Sequence, residues 1–241
     1  MNNYYSFIFK SKNFNPFISI YLIFKLFLFR KRNFLDKRYN EKFKIEYKEY
    51  LNEPKKNFSE DFFSYNIKYL VRIFYKYKLL NKKLNILEIG SYEGRSANFF
   101  LSILKNSNIH CVDIFNSDDE LKSKNFNSIY KNFQKNIEPF KKRIKLFNGT
   151  SDKFFEKYNE NKFDFVYIDG NHSDEQVYKD AENSFQLLNK YGIIVFDDFM
   201  WNYYPKINKN PIGAVKKFIS KNFFKIKIIS ISYQIAIMKI I

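Results

Sequence analysis

With 241 residues, the chain is long enough for one α/β domain with a sizeable core and an appendage, and too short for two full-sized domains. Its 42 Lys and Arg against 25 Asp and Glu give a net charge of +17, but the excess is spread along a chain rich throughout in Lys, Asn, Ile, Phe and Tyr, which argues against a dedicated nucleic-acid surface. Cys111 is the single cysteine, and His110 and His172 are the only histidines. This excludes an intrachain disulfide, a cysteine zinc cluster and a multi-histidine metal site, and it fits a reducing, cytoplasmic compartment.

In chain order, residues 1–55 read as a basic, aromatic, helical extension, and 56–241 as the main domain. Phe17 to Phe29 is apolar except for Ser19 and Lys25, and Arg30, Lys31 and Arg32 follow it. At about 1.5 Å per residue this stretch is shorter than the ~30 Å hydrocarbon core of a bilayer, and no small-residue cleavage site accompanies it. Two readings stay open: a helix lying in the membrane interface through residues 17–32, or one packed on the main domain or on a second subunit of a homo-oligomer. Leu35, Tyr39, Phe43, Tyr47 and Leu51 recur every fourth residue and predict a helix that Pro54 ends. A second helix over 59–80 is expected to start at an N-cap, Ser59, and to carry the stripe Phe63, Ile67, Leu70, Phe74 and Tyr77.

Beyond Asn81, short apolar runs alternate with amphipathic stretches, as in an α/β fold with a mostly parallel sheet and helices on both faces. Strands are expected at Leu84 to Ile89, Ile109 to Asp113, Ile144 to Phe147, Phe163 to Ile168 and Gly192 to Phe196. A final pair at Phe224 to Ser230 and Tyr233 to Lys239 lies too close for a crossover, and so predicts a C-terminal antiparallel hairpin that brings the sheet to seven strands.

The first strand runs into Glu88-Ile89-Gly90-Ser91-Tyr92-Glu93-Gly94-Arg95-Ser96, then a helix with Ala97, Phe100, Leu101 and Leu104 on its apolar face. Gly90 and Gly94 permit a tight turn and close approach of a ligand to the backbone. Tyr92 stands where a dinucleotide-binding G-x-G-x-x-G has its second glycine, which argues against a pyrophosphate. The second strand ends in Asp113, about 20 residues after the glycines, where a carboxylate suits ribose hydroxyls. After the third strand, Gly149-Thr150-Ser151 reads either as an adenine-contacting turn or as a helix start with Ser151 as N-cap.

Tyr167-Ile168-Asp169-Gly170-Asn171-His172-Ser173 closes the fourth strand, and Phe196-Asp197-Asp198-Phe199-Met200-Trp201 closes the fifth. Ligands of open α/β sheets bind beyond the carboxyl ends of strands, so these acids share a crevice. Clustered carboxylates repel one another unless a cation neutralises them, and oxygen donors suit Mg²⁺ or a similar hard ion. Ser173 to Gln176 reads as a capping box, followed by a helix with Val177, Ala181, Phe185 and Leu188 on one face and Gly192 as terminator. Trp201, Tyr203 and Tyr204 follow the acid pair, either as walls of an acceptor pocket or as packing under a loop.

Glu88, the glycine turn and Asp113 together resemble the class I methyltransferases that use S-adenosylmethionine (SAM). Asp-Gly-Asn-His and Asp-Asp-Phe resemble the metal-dependent O-methyltransferases among them, of the catechol and caffeoyl-CoA type and, more closely, the macrocin type. The resemblance runs from Leu84 to about Ile219 and implies a Rossmann-like fold. It implies a SAM site at Glu88, Gly90, Ser91, Gly94, Ser96, Asp113, Ser151 and Asp169, metal ligands at Asp169, Asp197 and Asp198, and a general base at His172. A hydroxyl is a poor nucleophile at neutral pH; a divalent ion lowers its pKa, and an imidazole, with a reference value of about 6.5, takes the proton. The acceptor is expected to be a small molecule or a sugar-like unit. The alternatives are a class I enzyme acting on RNA or protein, which the missing Asn-Pro-Pro-Tyr motif disfavours, and a non-catalytic scaffold at a membrane surface.

Overall fold

A computed structural model describes residues 4–10, 16–35, 57–115, 126–206 and 209–241. The helix expected over Leu35 to Leu51, with the Pro54 break, lies outside them apart from Leu35. Seven strands form one sheet in the order β3-β2-β1-β4-β5-β7-β6, and the chain divides into a unit of Lys37–Asn159 and a unit of Met1–Asp36 with Glu160–Ile241.

In the first unit, β1 (Asn85–Ile89), β2 (Asn108–Asp113) and β3 (Ile144–Asn148) pair in parallel, with Ile86 opposite Ile109 and Ile109 opposite Ile144. The central residues of β1 are buried, which is why the sequence reads as an unbroken apolar run rather than an alternation. A 3₁₀ turn (Ser64–Asn66) leads into α3 (Ile67–Lys76); α4 (Arg95–Ile103), α5 (Phe126–Ile137) and α6 (Ser151–Lys157) follow in the connections between strands. Ala97, Phe100, Leu101 and Leu104 are fully buried; of the expected stripe, Phe63, Ile67, Leu70 and Phe74 are buried, while Tyr77 is half-buried just past the helix, which ends at Lys76 rather than running to residue 80. Phe63 and Phe74 close on α4, with ring centroids 5.4 Å (Phe63 to Phe99) and 6.2 Å (Phe74 to Phe100) apart.

Two expected caps fall elsewhere. Ser59 does not cap a helix: its amide donates to Glu93 Oε2 at 2.6 Å and its hydroxyl meets the Tyr92 hydroxyl at 3.1 Å, so the helix begins only beyond the 3₁₀ turn. Ser151 is the first residue of α6, and Thr150 caps it by accepting from the Lys153 amide at 3.4 Å. A threonine hydroxyl one residue earlier reaches the third amide of the helix, and that competition decides the cap.

The second unit holds β4 (Phe163–Ile168), α7 (Asp174–Leu187), β5 (Leu188–Phe196), α8 (Pro211–Lys221), β6 (Ile226–Ile231) and β7 (Ile235–Lys239), together with α1 (Tyr4–Lys10) and α2 (Pro16–Leu35). β5 runs parallel to β4 and antiparallel to β7, and β7 pairs antiparallel with β6. The expected hairpin therefore folds back so that its second strand inserts beside β5 and its first takes the edge. Gly192 does not terminate α7. That helix passes directly into β5 at Leu188, and Gly192 lies within the strand, in an irregularity where Leu188 pairs with Phe163 and Ile193 with Phe165. The glycine is required by crowding, since a Cβ there would lie 2.8 Å from the Asn189 carbonyl oxygen.

α2 is a single helix of 20 residues that buries Ile18, Leu22 and Leu26. It packs against α8 and β6, with Tyr21 edge-on to Phe223 at 5.3 Å. The fully buried Lys216 of α8 donates from Nζ to the Ile8 carbonyl at 3.1 Å, tying α1 to the same unit. Among the described residues, no helix is long and apolar enough to cross a membrane.

Candidate active site

In the unit of Lys37–Asn159, the turn after β1 is drawn together by two acids. Glu88 is fully buried at the end of the strand, and its Oε2 accepts from Ser91 Oγ at 2.6 Å. Its Oε1 is buried with no hydrogen-bond partner among the described residues. Burial is the main reason its pKa is raised to about 7, working against the Ser91 hydroxyl. Asp113, at the end of β2, accepts from the Ser91 and Tyr92 amides at 2.7 Å each and from the Phe115 amide at 2.5 Å. The acid expected at the ribose therefore also fastens the turn.

Gly90 and Gly94 have φ of 86° and 77° and Tyr92 has 45°, so the turn winds repeatedly through left-handed backbone. Gly94 caps α4, and a Cβ on it would lie 3.0 Å from Phe133 Cδ2 and 3.1 Å from Ile137 Cγ2 of α5. Its contribution is thus to close packing as much as to ligand approach. Gly94→Ala is expected to destabilise the chain by about 1–3 kcal/mol, seen as a lower urea midpoint. An unchanged midpoint would mean that α5 yields freely. Ser96 and Ser151 are both buried.

The sequence reading missed the outer brace of this turn. Glu93 accepts from the Ser59 amide and, at 2.8 Å, from Asn132 Nδ2, while Asn136 Nδ2 donates to the Glu93 carbonyl at 2.9 Å. Asn98 Nδ2 in turn donates to the Asn136 carbonyl at 2.7 Å. In a chain so rich in Asn, these positions carried no signal of their own.

In the other unit, β4 delivers Asp169 and β5 delivers Asp197 and Asp198. The Asp197 amide donates to the Ile168 carbonyl at 3.0 Å and keeps the two strand ends in step. Ser173 caps α7 by accepting from the Gln176 amide at 3.4 Å, as half of a capping box would, and so fixes His172 just before the helix. His172 Nε2 lies 2.9 Å from Asp198 Oδ2 and 3.9 Å from Asp169 Oδ1. Ligand atoms of Asp169, His172 and Asp198 all fall within 4.8 Å of one another.

Asp197 is placed differently. It is buried, and its Oδ1 accepts from the Tyr167 hydroxyl at 2.5 Å and from Gln234 Nε2. The Tyr233 hydroxyl donates to Asp198 Oδ1 at 3.0 Å. Burial first, and then the neighbouring acids, raise Asp169 well above the usual carboxylate range and Asp197 to about 7. Burial would raise Asp198 too, but the His172 contact outweighs it and holds that acid low. Three acids that oppose one another's ionisation, beside an imidazole, form a donor set that a hard divalent cation fits. Tyr167 was legible in hindsight, two residues before Asp169 on the same face of its strand; Tyr233 and Gln234 were not, because they arrive through the insertion of β7.

Beside this cluster, the Trp201 ring lies 4.7 Å from His172 and stacks on Tyr203 at 5.2 Å. Asn210 holds the loop by accepting from the Tyr203 and Tyr204 amides at 2.9 and 3.0 Å.

Residues 87–199, which span the glycine turn and all three acids, match the family described as a methyltransferase domain. Over that stretch, just under half of its length, the sequence is similar to a methyltransferase domain. No curated protein matches the sequence. Among solved structures, the MycE methyltransferase of the mycinamycin biosynthetic pathway, solved with Mg and SAH, is 19% identical, with a TM-score of 0.54 over 75% of this chain and 51% of its own. The present chain thus spans about half the length of that enzyme. A Staphylococcus aureus protein described as a caffeoyl-CoA O-methyltransferase is 16% identical, with a TM-score of 0.56 over 83% of this chain and 99% of its own. A Clostridium thermocellum protein described as an rRNA methylase is also 16% identical, with a TM-score of 0.53 over 71% and 96%. At such identities these likenesses speak for the fold, and any chemistry assigned to this chain rests on its own side chains.

Proposed function

We propose that the chain is a SAM-dependent O-methyltransferase, assisted by a divalent cation such as Mg²⁺, that methylates a hydroxyl of a small-molecule or sugar-like acceptor. The observation that carries this reading is the convergence of Asp169, His172 and Asp198 within 4.8 Å inside the matched methyltransferase domain. SAM supplies an electrophilic methyl group on a sulfonium. The turn after β1 suits it: the buried Glu88 Oε1 would accept from a cationic ligand group, and Asp113, already fastening the turn, would meet the ribose hydroxyls. Asp169 and Asp198 are the acids best disposed to hold the cation, with Asp197 a third whose Oδ1 is already committed to Tyr167 and Gln234. A bound divalent ion supplies the Lewis acidity that makes an acceptor hydroxyl easier to deprotonate. His172 takes that proton at a ring nitrogen, and Trp201 with Tyr203 walls the acceptor. The single, buried Cys111 fits a reducing, cytoplasmic setting.

Titration of the chain with SAM tests the first half of this reading. Because Glu88 carries a proton in the free protein below about 7, a cationic ligand beside it should expel that proton. Binding heats between pH 5 and 7 should therefore vary with the ionisation enthalpy of the buffer, and Glu88→Gln should remove the variation. Absence of SAM binding would overturn the proposal. The second half is tested by chelation, which should abolish transfer reversibly; full activity in chelator would remove the cation from the mechanism.

A further inference from the structure

The methyltransferase reading leaves α2 unexplained. Ile18, Leu22 and Leu26 account for its inward face, against α8 and β6. On the opposite side, Ile20, Phe24 and Phe27 recur at helical spacing and stand 57%, 56% and 55% exposed. Phe223, edge-on to Tyr21 of the same helix, and its neighbour Phe224, which is 85% exposed, add further apolar rings at the surface of this unit. Single exposed apolar residues need no explanation, but several large ones recurring along one helix face mark an interaction surface.

The charges beside this face select its occupant. Residues 1–35 contain six basic side chains, Lys10, Lys12, Lys25, Arg30, Lys31 and Arg32, and no Asp or Glu. Lys25 and Arg30 are held at the aromatic rings of the same helices, with Lys25 5.2 Å from the Tyr21 ring and Arg30 5.3 and 5.2 Å from Tyr4 and Tyr5. Lys225 stands exposed beside Phe224. A second copy of this face would bring like charges together, whereas an anionic bilayer offers the opposite charge and an apolar interior at once. We infer that the outer face of α2, together with Phe223 and Phe224, docks on an anionic membrane surface. The helix lies in the interface plane, its inner face retained by the protein and its outer aromatics entering the boundary between headgroups and acyl chains. This inference does not depend on methyl transfer.

The test uses the full chain and vesicles of phosphatidylcholine with about one-third phosphatidylglycerol, set against phosphatidylcholine alone. Sedimentation with the anionic vesicles is expected. The double substitution Phe24→Ser with Phe27→Ser should weaken it by about tenfold, and Lys25→Glu with Lys31→Glu should weaken it most at low salt, the difference from wild type shrinking as salt rises. All four side chains lie at the surface or its edge, and an unchanged unfolding midpoint checks that the variants fold. Binding that survives the phenylalanine substitutions unchanged would be adsorption of a basic protein and would overturn the inference. Self-association in solution that the same substitutions abolish would also overturn it, by making a second copy the occupant.

Discussion

Asp198→Asn is expected to reduce divalent-ion affinity by about 100-fold and methyl transfer by at least as much, while leaving SAM affinity within about twofold. The substitution keeps the size of the side chain and an oxygen able to accept from the Tyr233 hydroxyl, which now lies 3.0 Å from Oδ1. What it removes is the one acid of the cluster that the His172 contact holds low, and hence the one most completely ionised. With that charge gone, the repulsion that helps raise Asp197 and Asp169 weakens, but neither replaces it in contact with His172 Nε2. Mn²⁺ binding followed by electron paramagnetic resonance, beside a SAM titration of the same variant, separates the two effects. Transfer at the wild-type rate in Asp198→Asn would remove this acid from the mechanism.

Asp113→Ala should have an effect of similar size on the other ligand. It leaves the amides of Ser91, Tyr92 and Phe115 without their acceptor, at about 1–3 kcal/mol for each that stays buried. SAM affinity is expected to fall by about 100-fold, equivalent to about 2.7 kcal/mol. Asp113→Asn distinguishes the two duties of the side chain. Its carbonyl still accepts from the turn, so the unfolding midpoint should recover more than the affinity does. Equal recovery of both would mean that the acid acts on SAM only by shaping the backbone.

The order of elements was legible because it depends on local patterning. Each parallel strand is a short apolar run ending at a Gly or an acid, and the closeness of the last two runs dictated a hairpin. The proposed site residues were legible for a related reason, since α/β sheets expose the carboxyl ends of their strands and acids there stand out against apolar runs. What stayed hidden was decided by contacts distant in sequence. Ser59 has the chemistry of a cap, but its hydroxyl meets the Tyr92 hydroxyl and its amide the Glu93 carboxylate instead. Gly192 follows a helix, yet crowding against the Asn189 carbonyl places it inside a strand. Gln234 was expected inside the last strand; it lies just before β7, whose insertion beside β5 brings it to Asp197.

The division of labour between Glu88 and Asp113 bears on how such a domain would be inherited. Asp113 serves the polypeptide as well as any ligand, since three amides depend on it. A descendant that abandoned its cofactor would still be selected to keep an acid there. Glu88 is under no such protection: no backbone amide among the described residues is held by its buried carboxylate, whose Oε1 has no hydrogen-bond partner among them. Drift toward glutamine or an apolar residue at 88, with the acid at 113 intact, is therefore the mark that would separate lineages that have lost the cofactor from those that still use it.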